Sequence, residues 1–543
     1  MRVTNKMIMN NAASNINSTK EIVNRRNNQM TSQKKIDKPS DDPVVAVRSL
    51  RLSTTLSQVT QYYSKNIPDA DQWIDVTETA LVNIRDIVKD CKNLAGQGAT
   101  STYNQDDKKT MLTQLEALQK QLYAEGNADY ANRTVFTGYR TDSNLTFTED
   151  EMKTKYRIDQ SISIEAKMEE KRYYSGHVVI PTTEDEVLAP SLAETDPNYA
   201  AISDIEQTNY YRVRLGYEDV DTLNNLKFTY NDGTEINYEF VEDPDGVYEN
   251  NLGTTITDPT TGFGLTIFEN ESDWATANGG LKTVADNGIV FIRDTGDLIF
   301  GKNVAAELKS KEATVDIQYD KTGFEEGLLR PEFYYNCTKM IDETGAKLEK
   351  NNTYTKFDEN GKVINFDIEY TIAANQTITI NTEASNVFDS SLQRDLGEMI
   401  ESARRTINAY DNLQTIKDMM GETQYASDKD QEWLKNWEAA VQKEFDYFFD
   451  DMRKLFDTEI GKITKYYDKI SLAITDLGCK GQSLELTKTR VGDQRETVQD
   501  LQSKNDDVDL SQIIIEYTAA HTAYQASLTA AGKLSDSTLL NYI

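Results

Sequence analysis

Met9, Ile16, Val23 and Met30 fall seven residues apart and so mark one line along a helix. Positions between them, such as Thr19 and Arg26, are polar, which leaves the apolar stripe one residue wide. Such a stripe is too thin for a helix to stand alone in water, where nucleation already opposes short helices. The segment requires a partner. The far end of the chain mirrors it: Leu510, Tyr517, Tyr524 and Ala531 repeat at seven, with Ile513, Ala520, Ser527 and Leu534 on the adjoining line.

Between the first stripe and the next lies "KKIDKPSDDP", Lys34 to Pro43, a charged elbow with two prolines. Asp42 is placed to cap a new helix, with Pro43 at its first position, where a missing N–H costs nothing. Pro39 and Pro43 restrict the chain there and the charges keep the joint solvated; a generic linker explains the prolines equally well. Beyond the elbow two apolar seams persist over seven heptads. One runs Val45, Leu52, Val59, Asn66, Trp73, Ala80, Ile87, Leu94, the other Leu56, Tyr63, Ala70, Thr77, Ile84, Cys91. The pattern predicts a long helix ending near Ala95–Gly98, kinked or restarted at Pro68 because proline removes a donor and clashes one turn back. A further helix, about 105–125, carries Met111, Leu112, Leu115, Leu118 and Leu122 on one face and should fold back as an antiparallel neighbour.

From about Thr134 to Thr382 the period changes to two. Residues 226–240 alternate on both sides of Asn231-Asp232-Gly233, the chemistry of a hairpin turn. Residues 356–370 read as a second hairpin about Asn360-Gly361, and 287–301 and 375–382 as further strands. Helical spacing returns near Val387, with Leu392, Met399, Leu413 and Met420 in register. After a polar break at 421–430, Trp433, Trp437, Val441, Phe445 and Phe448 form an aromatic stripe that reads as core, and Leu484, Val491 and Val498 continue the period. Gly478 and Gly481 should loosen that helix, each at about 1 kcal/mol against Ala.

The predicted fold class is therefore α+β: an elongated coiled-coil-like bundle of long N- and C-terminal helices with a β-rich insertion in mid-chain. The expected divisions are an inner helix at 1–37, an N-terminal helical part at 38–142, and an insertion of one or two modules at 143–385. A C-terminal helical part follows at 386–507, with an extra helical insertion near 409–457, and a second inner helix at 508–543.

At 543 residues two to four domains are expected. A net charge of −32 argues against nucleic acid or an anionic membrane as a partner, since both select basic surface. Residues 1–60 nevertheless hold ten Lys or Arg against four Asp or Glu, which reads either as a solvated basic helix face or as a segment recognised by export machinery. Cys91, Cys337 and Cys479 are distant and odd in number, so they build neither a disulfide framework nor a metal site, and Cys91 reads as core. No apolar run suits a cleaved signal or a membrane span, which points to a cytosolic chain or one exported without cleavage.

Candidate chemistry is sparse. HExxH, GxSxG and P-loop patterns are absent, and His177 and His521 are too far apart in sequence for acid–base or zinc work. "TGFG", 261–264, reads as a turn, and "DENG", 358–361, as a hairpin turn, because Lys356 stands where a calcium loop places its first acid. No catalytic, cofactor or metal residue is therefore expected. The residues expected to carry function are assembly contacts: Met9, Ile16, Val23, Met30, Leu510, Ile513, Tyr517, Ala520, Tyr524 and Ala531, with Pro39, Asp42 and Pro43 at the elbow.

"MRVTNKMIMNN", "KPSDDPVVAVRSLRL" (38–52), "LAGQGA" (94–99), "NRTVFTGYRT" (132–141) and "AYQASLTAAGKLSDSTLLNYI" (523–543) resemble, in order, the hook–filament junction family, hook-associated protein 3, of the bacterial flagellum. The resemblance spans roughly 1–142 and 458–543. The related flagellins normally open with an "MxINxN" pattern and lack the "PSDDP" elbow. Membership implies a structural subunit with no reaction and no cofactor, ringed with copies of itself between the first hook-associated protein and flagellin. It also implies export, unfolded, through the flagellar type III apparatus after a chaperone has held the C-terminal region, and an extracellular address on the flagellum. The departures are the aromatic-rich 409–457 segment, Pro68 and the two glycines of the C-terminal helix. The alternatives are a flagellin-like filament subunit, or a surface adhesin or enzyme carried by flagellar ends. On the first reading, burial of about 1.5–3 kcal/mol per apolar side chain barely offsets about 1–2 kcal/mol of ordering per residue. Residues 1–35 and 508–543 are then expected to be mobile in a monomer and to fold on assembly.

Overall fold

The computed structural model describes residues 5–100, 105–241, 248, 250–358 and 361–536. The first four and last seven residues, at which the terminal motifs begin and end, lie outside the described residues, as do Asn360 and the side chain of Leu534. The chain folds as two compact units. One holds the chain up to residue 72, the 369–379 ribbon and everything from residue 479; the other holds 73–368 and 380–478. The expected inner-helix segments, 1–37 and 508–543, both fall in the first unit.

In the first unit the helix Asn5–Ser32 packs against the helix Leu510–Asp536. The elbow follows, and a second helix starts at Pro43 with Asp42 as its cap: Asp42 Oδ1 accepts from the Val44 and Val45 amides at 2.9 and 3.1 Å. That helix ends at Gln61 and passes through a π-turn, Tyr62–Asn66, into the helix Ile67–Gly98. The interruption thus sits one turn ahead of the expected Pro68. Pro68 offers no N–H to the Ser64 carbonyl, and the chain widens instead, the Ile67 amide donating to Tyr62 O. The ribbon Glu369–Ala373 with Gln376–Thr379 lies against this turn, Asn66 Nδ2 donating to Thr371 O at 2.7 Å and Tyr370 to Asp69.

The second unit contains two six-stranded sheets. The first runs, in spatial order, Glu169–Ser175, Glu206–Arg214, Asp297–Phe300, Gly288–Ile292, Gly264–Phe268 and Thr255–Thr257. Its pairing is antiparallel except between Gly264–Phe268 and Gly288–Ile292, where a helix, Glu271–Ala277, makes the crossover. The second runs Lys347–Tyr354, Asn336–Ile341, Glu151–Ser163, Thr314–Phe324, Thr222–Thr229 and Glu235–Glu239. The Asn231-Asp232-Gly233 turn joins the last two strands as the alternation predicts, with Gly233 at φ +81°. The other expected hairpin is shorter than the sequence suggests. Phe357 and Val363 make a single bridge, residues 364–368 form no strand, and Glu369–Ala373 turns through Asn375 to pair with Gln376–Thr379. Asn375 takes φ +58°, a conformation that asparagine tolerates, and this later turn captures the strand.

Facing aromatics close the core. Phe228 of the second sheet meets Phe300 of the first at 6.1 Å, and Phe324 stacks on Phe147 at 4.7 Å. Helices Gln105–Gly126, Ser391–Gly421 and the start of Asp428–Asp506 complete the unit. Segment 409–457 forms the end of one helix, a turn and the beginning of the next. Leu413, Ile416 and Met419 cluster there with Leu434, Trp437 and Val441, so Trp437 and Val441 of the expected stripe are core, while Trp433 and Phe445 pack against the cluster partly buried and Phe448 stays half-buried outside it. The 79-residue helix runs unbroken through Gly478 and Gly481, and the predicted loosening does not interrupt its hydrogen bonding. Gly98, by contrast, is required: a Cβ there would meet the Phe456 ring at 2.3 Å.

Candidate functional site

The first and last helices form an antiparallel pair. Lys34 and Asp507 bridge at their joined ends, and Arg26 Nη2 meets Glu516 Oε2 at 3.0 Å further along. Half-buried positions on the first helix are Ala12, Ile16, Thr19, Val23, Arg26 and Met30, a 3–4 alternation that is the coiled-coil seam. On the last helix they are Glu516, Tyr517, Ala520, His521, Tyr524, Ser527 and Ala531, with Ile513 buried. Eight of the ten expected contact residues therefore lie on this seam. Met9 and Leu510 do not, being 52% and 45% exposed.

The elbow is built more tightly than a solvated linker. The Lys35 amide donates to Asp506 O at 2.8 Å and the Val508 amide to Gln33 O at 3.0 Å, so residues 33–35 and 506–508 form a short two-stranded clasp. Gln33 holds φ +59° to enter it. Side chains reinforce the joint: Lys34 pairs with Asp507, Ser49 Oγ donates to Asp506 Oδ2 at 2.8 Å, and Asn505 Nδ2 donates to Val45 O at 3.1 Å. Asp41 Oδ2 takes the amides of Asp37 and Lys38, which closes a turn around Pro39. Pro39 and Pro43 are exposed, and Asp42 is spent on its cap. Hydrogen bonds from Lys34 and Ser503 hold the Asp507 carboxyl below its usual range. Little in the sequence signals this clasp: of the lysines at 34–35 and the aspartates at 506–507 only Lys34 and Asp507 pair through their side chains, and Lys35 Nζ donates instead to Lys504 O.

A second feature was not legible as a site. In the sheet-containing unit Arg212, with 3% of its side chain exposed, contacts Glu169 at 2.7 Å, Asp297 at 3.0 Å and also Glu398. Arg214 joins Glu169 and Glu398 at 3.1 Å each, and Asp395. Lys462 reaches Glu169 at 2.6 Å and Glu459 at 2.8 Å, and Tyr466 donates to Asp395 at 2.6 Å. Burial opposes the charge of Glu169, but Arg212, Arg214 and Lys462 outweigh it and hold the carboxyl at about 2. Glu459 goes the other way: burial, then the neighbouring Asp395, push it up to about 7. The cations here all have carboxylate partners, so the cluster locks three strands to two helices, while Glu459 Oε2 is buried without a hydrogen-bond partner. Among the described residues no group of three or more His, Cys, Asp or Glu could hold a metal, and no helix is long and apolar enough to cross a membrane. Cys91 and Cys337 are buried, and burial pushes the Cys91 thiol up to about 12, far from reactivity.

Residues 3–141 match the family model of the bacterial flagellin N-terminal helical region. More specifically, the chain is similar to flagellar hook-associated protein 3 of Salmonella typhimurium, 26% identical over 144 residues, covering 26% of this chain and 45% of that protein. It is similar also to flagellar hook-associated protein 3 of Escherichia coli, 26% identical over 182 residues, covering 32% and 56%. The chain spans about half the length of the curated relatives it matches. A solved flagellar hook-associated protein from Vibrio parahaemolyticus aligns over 86% of this chain and all of its own, at 11% identity; a TM-score of 0.33 is too low to equate the two folds. The family resemblance carried by the end motifs is thus borne out, and so is the α+β class with long terminal helices and β-rich middle.

Proposed function

We propose that this chain is a structural subunit of the bacterial flagellum that joins hook to filament, and that it catalyses no reaction. The observation that carries the reading is the pairing of the two chain ends along a seam only half buried, clasped at its base by residues 33–35 and 506–508. A single copy leaves Met7, Met9, Ile22, Leu510, Ile514, Ile515 and Leu528 exposed along the pair. Neighbouring copies supply the missing faces, and the ends become an inner tube. The ten seam and flank residues named from the heptads are the contacts of that tube, and Pro39, Asp42 and Pro43 fix where it begins. The partners are further copies in a ring, the first hook-associated protein on one side and flagellin on the other. A chaperone and the type III export apparatus deliver the chain to an extracellular position. The similarity to hook-associated protein 3 supports this reading over a filament subunit.

Deleting the gene and restoring it without residues 5–32 and 510–536 tests the proposal. Cells should bear hooks without filaments and release flagellin into the medium. Normal filaments on those cells would refute it, and growth of the purified chain into long filaments would favour the flagellin-like alternative.

A further inference from the structure

A pocket of about 140 Å³ in the sheet-containing unit plays no part in the helix pairing, and Phe136, Tyr139, Arg140, Glu332, Tyr354 and Phe366 are among the residues that line it. At its rim the rings of Tyr139 and Phe366 lie 4.9 Å apart and are 56% and 37% exposed, an unusual outlay of aromatic surface. Arg140 is held between two further rings, Phe333 at 5.0 Å and Tyr354 at 4.3 Å from its guanidinium, yet no acceptor among the described residues takes a hydrogen bond from it. Glu332 is 5% exposed, its Oε2 has no donor, and Arg330 stands 3.9 Å from the other oxygen. A buried carboxylate oxygen without a donor is costly unless something supplies one.

The pocket therefore offers an unpaired fork of donors, an unpaired acceptor and an exposed aromatic wall. Its charges cancel, since Arg140 and Lys356 stand against Glu332 and Glu383, and the last pair with Lys356 directly. A cationic guest is disfavoured because Arg140 already occupies two of the aromatic faces. An anionic guest would face both carboxylates. We propose that the pocket binds a neutral saccharide ring: its apolar C–H face stacks on Tyr139 and Phe366, one hydroxyl donates to Glu332, and another accepts from Arg140. This goes beyond the junction role and does not depend on it.

Saturation-transfer NMR and calorimetry on the full-length protein, against a panel of neutral mono- and disaccharides, test the inference. At least one sugar class should bind, with Tyr139→Ala and Arg140→Ala each weakening it about tenfold, roughly 1.4 kcal/mol. Tyr139→Phe keeps the ring and should keep the binding, and Leu252→Ser, outside the pocket, should change nothing. Because Tyr139 is largely exposed, its replacement leaves the thermal midpoint unmoved and the readout interpretable. The proposal is overturned if no saccharide shows transfer, if binding ignores both Tyr139→Ala and Arg140→Ala, or if acidic sugars or lysine-rich peptides bind in preference to every neutral sugar.

Discussion

The paired end helices and the sheet-containing unit bury their side chains in opposite ways. Along the described first helix only Gln29 is fully buried, and along the last only Ile513. The sheets and their helices enclose Tyr156, Tyr173, Phe228, Phe300, Trp274 and Phe324 almost completely and add a buried ionic cluster. One region carries its own stability. The other leaves its seam half buried, and on the proposed function its order should depend on how many copies surround it.

Hydrogen exchange on a verified monomer should show the largest effect. Amides of 5–32 and 510–536 are expected to exchange at least about a thousandfold faster than those of Thr314–Phe324, because local opening of a thin seam needs far less free energy than global unfolding. Equal protection would erase the contrast. Next come substitutions inside the sheet-containing unit. Phe324→Ala removes a fully buried ring, and Arg212→Ala takes from Glu169, Asp297 and Glu398 the cation they share, leaving them to Arg214, Lys462 and Lys171. Each should cost about 3–5 kcal/mol in denaturant unfolding.

The same cluster makes that unit sensitive to pH in both directions. Glu459 is raised from 4.5 to about 7, so its contribution is complete below about 4.5 and is lost as pH rises through 7. Glu169 is lowered from 4.5 to about 2, so its contribution is complete above about 4.5 and is lost as pH falls toward 2. Glu459→Gln should flatten the alkaline side of the stability profile and leave the acid side as it was. A profile unchanged on both sides would mean that Glu459 does not titrate in this window.

Smaller effects are expected in the end-helix unit. Asp42→Ala removes a helix cap and should cost about 0.5–2 kcal/mol. Lys34→Ala breaks an exposed ion pair and should cost under about 1 kcal/mol in the monomer. Replacing Pro39 and Pro43 together with glycine should disturb ring assembly more than monomer unfolding. If monomer unfolding shifted more than assembly, the clasp would belong to the fold of the single chain.

Much of this architecture was readable because it is local. The heptads of the first and last helices, the Asp42-Pro43 start and the Asn231-Asp232-Gly233 turn all express themselves within a few residues. Errors arose where two local signals competed. Residues 356–370 alternate well enough for a strand, but the turn at Asn375 captures its second half. Pro68 marked a break correctly and misplaced it by a turn, since the proline acts on the carbonyl before it. The clasp was missed because it joins residues nearly the whole chain apart, and the ionic cluster because acids are so numerous that none stands out.

The sequence by itself determined the element types, the seven-residue seams at both ends and the absence of any recognisable catalytic motif, because these depend on spacing and residue chemistry along one stretch. Only the tertiary structure decided that Lys34 and Lys35 close on Asp506 and Asp507, that Arg212 is held among Glu169, Asp297 and Glu398, and that Arg140 and a donorless oxygen of Glu332 line one pocket. Charge and hydrogen-bond partners are selected by distance in space. An acid-rich chain offers each lysine and arginine many candidates that differ little in sequence and only packing separates them.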